Sequence, residues 1–376
     1  PYTKTNCSNI LPAYSGNNAK ERTVTIKYFL FSLIAFFSLT ITTPSYADNS
    51  SAVILLYHHV DSSTPAITSV SPQQFEQQLD YLQANEFSVW PLPQLMKHSI
   101  EGLNIPDKVL AITFDDAYES VYTEAYPRLK KRGLPFTIFV TTDSVDKQFN
   151  KQLSWQKLLE MSRNGATIAN HTVNHPHMLY RLAGEDSEQW QQRIRAEINQ
   201  AQQRIEEQIG SRHTLFAYPY GEHNQILKQM LKDMGYSAFG QQSGAIGKYT
   251  DLQSIPRYPI AGDYSKLDDF IVKIHSQALP AIEISSSPTP LPAQQNQPSL
   301  TLAFKQKVNR DLFQCYGPGG RLETLWQGDT VEVRSKVSIP AGRSRYNCTL
   351  PTGDNRYYWY SKPWIRLQDD GSWILD

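Results

Sequence analysis

The chain has 376 residues, with 36 Lys plus Arg against 36 Asp plus Glu, 40% hydrophobic and 19% charged positions. Its zero formal charge gives no global positive field, which argues against a protein built to hold nucleic acid, and its apolar content excludes a mostly disordered chain. Three cysteines are too few for a disulfide-built miniature scaffold, and the length predicts about two domains.

Residues 1–47 read as an N-terminal extension and an export signal. Lys20, Arg22 and Lys27 precede the apolar run Tyr28–Ile41, and Ser45-Tyr46-Ala47 sets small residues two apart just before Asp48. The run is shorter than the ~20 residues a spanning helix needs. The expectation is therefore a cleaved signal and an exported, periplasmic or extracellular mature chain without an integral membrane span.

From Ala52 short apolar runs alternate with amphipathic ones. Ala52–Leu56 is a buried strand. Ser71-Pro72 opens a helix with the apolar face Phe75, Leu79 and Leu82, Ser being a good N-cap and Pro suiting the first helical position. Strand Val109–Phe114, helix Tyr118–Arg132, strand Phe136–Val140, helix Trp155–Arg163 and strand Ala166–Ala169 follow. The stripe Trp190, Ile194, Ile198, Ile205 and Ile209 predicts a long helix over Ser187–Ile209, stopped by Gly210. Strand Leu215–Ala217, helix Gln225–Met234 and strand Ala238–Phe239 complete the series. Such alternation means a parallel sheet with crossover helices, and uniformly apolar strands mean that both faces are covered. Pattern alone leaves a barrel and an open sheet both available.

Residues 285–299, SSSPTPLPAQQNQPS, are expected to be a Pro/Ser/Gln linker. Residues 300–376 carry short alternating runs separated by turn formers and predict a small all-β domain. Cys315 and Cys348 are its only cysteines and are expected to pair in an oxidising compartment. Its aromatic content, including Trp326, Trp359, Trp364 and Trp373, suits either a carbohydrate-binding surface or an aromatic core.

Three segments at predicted strand ends carry chemistry. Thr113-Phe114-Asp115-Asp116 places two carboxylates side by side, which repel unless a cation joins them. His171-Thr172-Val173-Asn174-His175 offers two imidazoles four positions apart, and neutral His nitrogen with carboxylate oxygen suits Zn²⁺. Phe216-Ala217-Tyr218-Pro219-Tyr220-Gly221 is an irregular loop whose N–H groups can face a site.

With these motifs in this order, residues 53–274 resemble the NodB-type polysaccharide deacetylases, carbohydrate esterase family 4. The resemblance implies an α/β fold, a distorted (β/α)7-type barrel over residues 48–284, and a divalent-metal hydrolase that removes acetyl groups from a polysaccharide. It implies that Asp116, His171 and His175 hold the metal, Zn²⁺ first with Co²⁺ or Ni²⁺ as alternatives, that Asp115 is the general base, that the Tyr220 N–H faces the oxyanion and that Thr172 braces the histidine loop. The family's third motif usually opens with an Arg that orients the base. Ala217 stands there, and Arg257 is expected to supply the guanidinium instead. His275 is a candidate acid by order, though it sits on an apolar helix pattern. The Tyr57-His58-His59-Val60 strand end is similar to the subset acting on poly-β-1,6-N-acetylglucosamine, so His58 or His59 is expected at the site. Removal of N-acetyl groups from N-acetylglucosamine units is the leading function. An esterase on O-acetylated glycan and a catalytically idle glycan-binding relative are the alternatives.

Overall fold

The computed structural model describes residues 50–374. The expected export signal lies outside the described residues. Strands β1 (Ser51–Tyr57), β2 (Val109–Asp115), β3 (Phe136–Val140), β4 (Ala166–Asn170), β5 (Leu215–Ala217) and β6 (Ser237–Phe239) pair in parallel in that order. β7 (Ala245–Gly247) pairs antiparallel on the outer side of β1. Ile255 then bridges to Phe239 in parallel, and β8 (Tyr258–Pro259) pairs with β1. The 255–259 stretch therefore spans the gap between the last strand and the first, which closes the curl of the sheet into a distorted barrel.

Strand alternation sorts each strand into two stripes. Val53, Leu55, Tyr57, Leu110, Ile112, Phe114, Phe136 and Ile138 face the helices in the outer core. Ala52, Ile54, Val109, Ala111, Phe139, Ala169, Leu215, Ala217 and Phe239 fill the barrel interior. One step beyond this apolar filling the inward stripes turn polar, and the site begins there.

The predicted helices form with one difference, and Leu92–Glu101 and Thr142–Asp146 are helices beyond those predicted. Residues 118–132 are not one α-helix. Val121–Ala125 is a wider π turn, in which the Tyr126 N–H reaches back to Val121 O, and the α-helix proper is Tyr126–Lys131. Pro127 has no N–H and its ring crowds the carbonyl four residues back, so the wider turn accommodates it.

The C-terminal β region does not hang from a tether. β9 (Gln277–Ala278) pairs with the last strand, and β10 (Ala281–Ser286) pairs with β11 (Ser299–Phe304). The stretch expected to be a linker is thus the connection between two adjacent strands. Leu291 within it is fully buried, and its N–H donates to Ile365 O at 2.7 Å. An apolar residue among the prolines is what fixes it in place. β12 (Gln314–Gly317), β13 (Glu323–Gln327), β14 (Thr330–Arg334), β15 (Gly342–Pro351) and β16 (Tyr357–Arg366) complete two sheets around a core that includes Leu300, Leu302, Phe313, Val331, Tyr346 and Trp364. Cys315 and Cys348 face each other in register between β12 and β15 and form a disulfide. In the run Tyr357–Tyr360, Tyr358 enters this core while Trp359 packs edge-on against Tyr258 of the barrel, ring centroids 5.5 Å apart. Trp364 is buried too, so these aromatics serve packing first.

Candidate metal centre

The inward stripe of β2 runs Val109, Ala111, Thr113, Asp115, from apolar filling to carboxylate. Asp115 is fully buried, and so is Arg257, which reaches it from the closing stretch. Nη1 of Arg257 donates to Asp115 Oδ1 at 2.7 Å and Nη2 to Oδ2 at 2.8 Å. Nε donates to Gly240 O at 2.9 Å and Nη1 also to Thr113 Oγ1 at 3.2 Å, and the guanidinium lies 5.2 Å from the centre of the Phe139 ring. The fork is held on every side. Burial works against ionisation of Asp115, but the charge and hydrogen bonds of the Arg257 guanidinium outweigh it and hold the carboxyl below its ordinary value. Because each oxygen spends one lone pair on Arg257, a second stays available for a proton. The guanidinium expected from outside the third motif is therefore in place.

Asp116 is the next residue, and the backbone turns there. Asp116 has φ +70° and Ala117 +58°, a left-handed bend that swings the second carboxylate across the barrel mouth, away from its neighbour's guanidinium. Thr172 (φ +70°), His175 (φ +53°) and Tyr220 (φ +57°) share that conformation. Non-glycine residues avoid it, and its clustering on three separate loops around one point is the pattern of strain kept at a functional site.

His171 continues the inward stripe of β4 after Thr167 and Ala169. Its Nδ1 faces the Ala217 carbonyl at 2.8 Å. A carbonyl only accepts, so Nδ1 carries a hydrogen, and in the neutral imidazole, the form that ligates, Nε2 keeps its lone pair. That Nε2 is buried without a hydrogen-bond partner and lies 3.4 Å from Asp116 Oδ1, while His175 Nε2 lies 3.5 Å from the same oxygen. All three ligand atoms fall within 4.8 Å of one another. Two imidazole nitrogens and one carboxylate oxygen around a buried unpaired nitrogen fit a divalent ion of the zinc type, with the Ala217 carbonyl as the outer partner that fixes the tautomer. Burial lowers the His175 pKa to about 4, so it is neutral and ready to ligate. Thr172 braces the loop, its Oγ1 accepting from the His175 N–H at 3.0 Å and its own N–H donating to Asn170 Oδ1 at 2.9 Å.

A cavity of about 1230 Å³ covers this centre, and His58, Asp116, Tyr118, His175 and Tyr220 line it. His58 extends the inward stripe Ala52, Ile54, Leu56. His59 has the opposite parity and is a correction to the expectation of two equivalent candidates: it stacks on the Tyr118 ring at 3.7 Å, outside the cavity lining, and serves to seat that tyrosine. His275 is distant, packed between Phe87 and Tyr81 with its Nε2 3.3 Å from the Tyr81 hydroxyl.

Other residues emerge only in three dimensions. The Tyr220 ring stands edge-on to His175, centroids 4.5 Å apart, and stacks on His177 at 4.0 Å. His177 Nδ1 lies 3.0 Å from Glu222, which is 2% exposed, and Glu222 in turn pairs with Arg343 Nη1 of β15 at 3.2 Å. Arg343 also lies over the Tyr220 ring at 5.0 Å. The β region thus reaches the ring that touches a candidate ligand. His177 and Glu222 each stand two residues after a residue already singled out, which is the signal sequence reading had for them. Arg343 had none.

Residues 103–239 match the polysaccharide deacetylase family model. That segment is similar to polysaccharide deacetylases. The matched segment contains Asp115, Asp116, His171, His175 and Tyr220, whereas His58, Arg257 and Arg343 lie outside it. The chain is similar to the poly-β-1,6-N-acetyl-D-glucosamine N-deacetylase of Escherichia coli K12, 24% identical over 257 residues, 59% of this chain and 38% of that protein. It thus spans well under half of that relative's length. It is 28% identical over 240 residues to the enzyme of the same name from Staphylococcus aureus MSSA476, 58% of this chain and 81% of that one. Among solved structures, IcaB from Ammonifex degensii superposes with a TM-score of 0.53 at 25% identity, over 61% of this chain and 98% of that one.

Proposed function

We propose that the protein is an exported, metal-dependent polysaccharide N-deacetylase that releases acetate from N-acetylglucosamine units, with a β-1,6-linked polymer as its first substrate. The observation that carries this reading is the division of labour between adjacent carboxylates: Arg257 holds Asp115 in a fork while Asp116 turns toward two imidazoles. The names of the Escherichia coli and Staphylococcus aureus relatives support the substrate. The disulfide supports export, since such bonds persist in oxidising compartments. Among the described residues no helix is long and apolar enough to cross a membrane.

Asp116, His171 and His175 would hold the ion, Zn²⁺ by donor chemistry, with Co²⁺ or Ni²⁺ able to take the same set. Such an ion, when bound, lowers the pKa of a water and polarises the acyl carbonyl. Asp115 accepts the water's proton, and Arg257 keeps it ionised and aimed. The Tyr220 N–H is assigned to the oxygen that gains charge. His58, which lines the cavity outside the ligand set, gives a proton to the departing nitrogen. One water adds, the C–N bond breaks, and acetate and a free amine result.

Acetate release from poly-β-1,6-N-acetylglucosamine, chitin oligomers, peptidoglycan and acetylated xylan tests the reading. The expected result is release from the first polymer above the others, abolished by chelator and restored by Zn²⁺, Co²⁺ or Ni²⁺. Chelator-insensitive release, or binding of glycan with no release, would contradict it.

A further inference from the structure

The cavity over the metal centre does not end at the barrel. His223, Gln242, Thr289 and Pro363 line it and also line a second cavity of about 510 Å³ that opens between the barrel loops and the β region. Lys228, Tyr249 and Asp251 form the barrel side of this cleft, and Glu283, Tyr360 and Lys362 the other. The charges on its walls are matched pair by pair. Lys362 Nζ lies 2.7 Å from Glu283 Oε1, the Tyr360 hydroxyl donates to Glu283 Oε2 at 2.7 Å, and Lys228 pairs with Asp251. Such walls present hydrogen-bond donors and acceptors without a net field, so nothing here selects a phosphate-like anion or a polycation. Tyr249, 37% exposed, adds an aromatic face. Concave, lined by polar and apolar groups in about equal measure, uncharged overall and bordered by an aromatic ring, the cleft suits a neutral, hydroxyl-rich ligand with apolar ring faces.

We propose that this cleft is a glycan subsite: it holds sugar units that flank the one at the metal centre, so that the β region makes the protein act on chains rather than on single sugars. The proposal rests on the polysaccharide reading above. It also explains why β10 and the stretch after it are bound into the β sheets. A wall of the cleft is built from residues 281–289, and a loose tether there would leave the cleft without a side.

The test compares the β-1,6-linked N-acetylglucosamine dimer with the hexamer on the full chain. Wild type is measured beside Tyr249→Ala, which removes the aromatic face, and Ser285→Trp, which places bulk at an exposed position of the cleft wall. Calorimetric affinity and acetate release are both read. Wild type is expected to bind and turn over the hexamer at least about 10-fold better than the dimer, a difference of one modest subsite. Both variants are expected to lose that preference while handling the dimer as wild type does. Equal behaviour toward both lengths in wild type, a preference that survives both substitutions, or an equal loss on dimer and hexamer would overturn the subsite. Hexamer binding that depends on Tyr249 without acetate release would overturn the deacetylase reading and leave the subsite standing.

Discussion

The barrel rim and the C-terminal β region meet at one cavity by different physical routes. At the rim, residues arrive by strand parity: His58, Asp115, His171 and Arg257 each continue an inward stripe whose lower positions are apolar filling. Their placement is inherited from the barrel, and Asp115, Arg257 and His171 are locked by short contacts such as the Arg257–Asp115 fork. The β region contributes from outside, through Arg343 on Glu222 and Tyr220 and through the cleft wall. Chemistry placed by the barrel is buried and over-determined, whereas contributions from a second region sit at the margin of the cavity and adjust how substrate is met.

That contrast can be broken at either end. Arg257→Met should have the largest effect. It leaves the Asp115 carboxylate buried and uncompensated, at a cost of about 3–5 kcal/mol, and frees the base from its fork. Urea unfolding should show the loss, and acetate release should fall with it. A variant as stable as wild type would mean that the pair is not held as described.

Opening the disulfide addresses the other region. Cys315→Ser with Cys348→Ser removes a cross-link between residues 33 apart, worth about 3–4 kcal/mol in the loop-entropy model. If the β region buttresses the cavity, thermal unfolding should shift down and the hexamer preference should weaken before dimer turnover does. Simultaneous loss of both would show that the two regions are one mechanical unit.

His223 lies beneath the junction. Burial, with Lys362 of the β region adding to it, lowers its pKa to about 4, against 6.5 for a free histidine. Between those values the unfolded chain binds a proton that the folded one refuses. Stability therefore rises with pH across this window, is fully present above pH 6.5 and is lost as pH falls toward 4, by about 3 kcal/mol at the limit. His223→Asn should flatten that part of the urea-midpoint profile, and an unchanged slope would contradict the assignment.

The smallest effect is expected from Arg343→Ala. Loss of a partner to the Glu222–His177–Tyr220 chain should lower kcat about 10-fold, the scale of an outer-layer contact, with metal content unchanged. Arg343→Lys should recover part of it through the charge on Glu222. A change in KM alone would assign Arg343 to substrate contact instead.

How much of this the sequence discloses follows from the same contrast. Asp115, Asp116, His171 and His175 are legible because each follows a recognisable apolar strand. Parity even separates His58 from His59, since Ala52, Ile54, Leu56 and His58 alternate inward. The place of Arg257 is legible only as the counterpart of a missing arginine at Ala217. The π turn over Val121–Ala125 had a cue in Pro127. The strand pairing of residues 281–286 is masked by the Pro/Ser-rich stretch beside it, where local composition speaks for extension and the distant partner strand decides. Arg343 meets Glu222 across 121 positions, and nothing local to either residue announces the contact.

The most direct test of the central claim sets Asp115→Asn beside Asp116→Asn, with zinc stoichiometry and acetate release measured on the same preparations. Asp116→Asn should lose bound metal and activity together. Asp115→Asn should keep one zinc per chain and lose about 10²–10⁴-fold in kcat, the range of a removed general base. If Asp115→Asn loses the metal, or keeps full turnover with the metal in place, the division of labour between the two carboxylates is wrong.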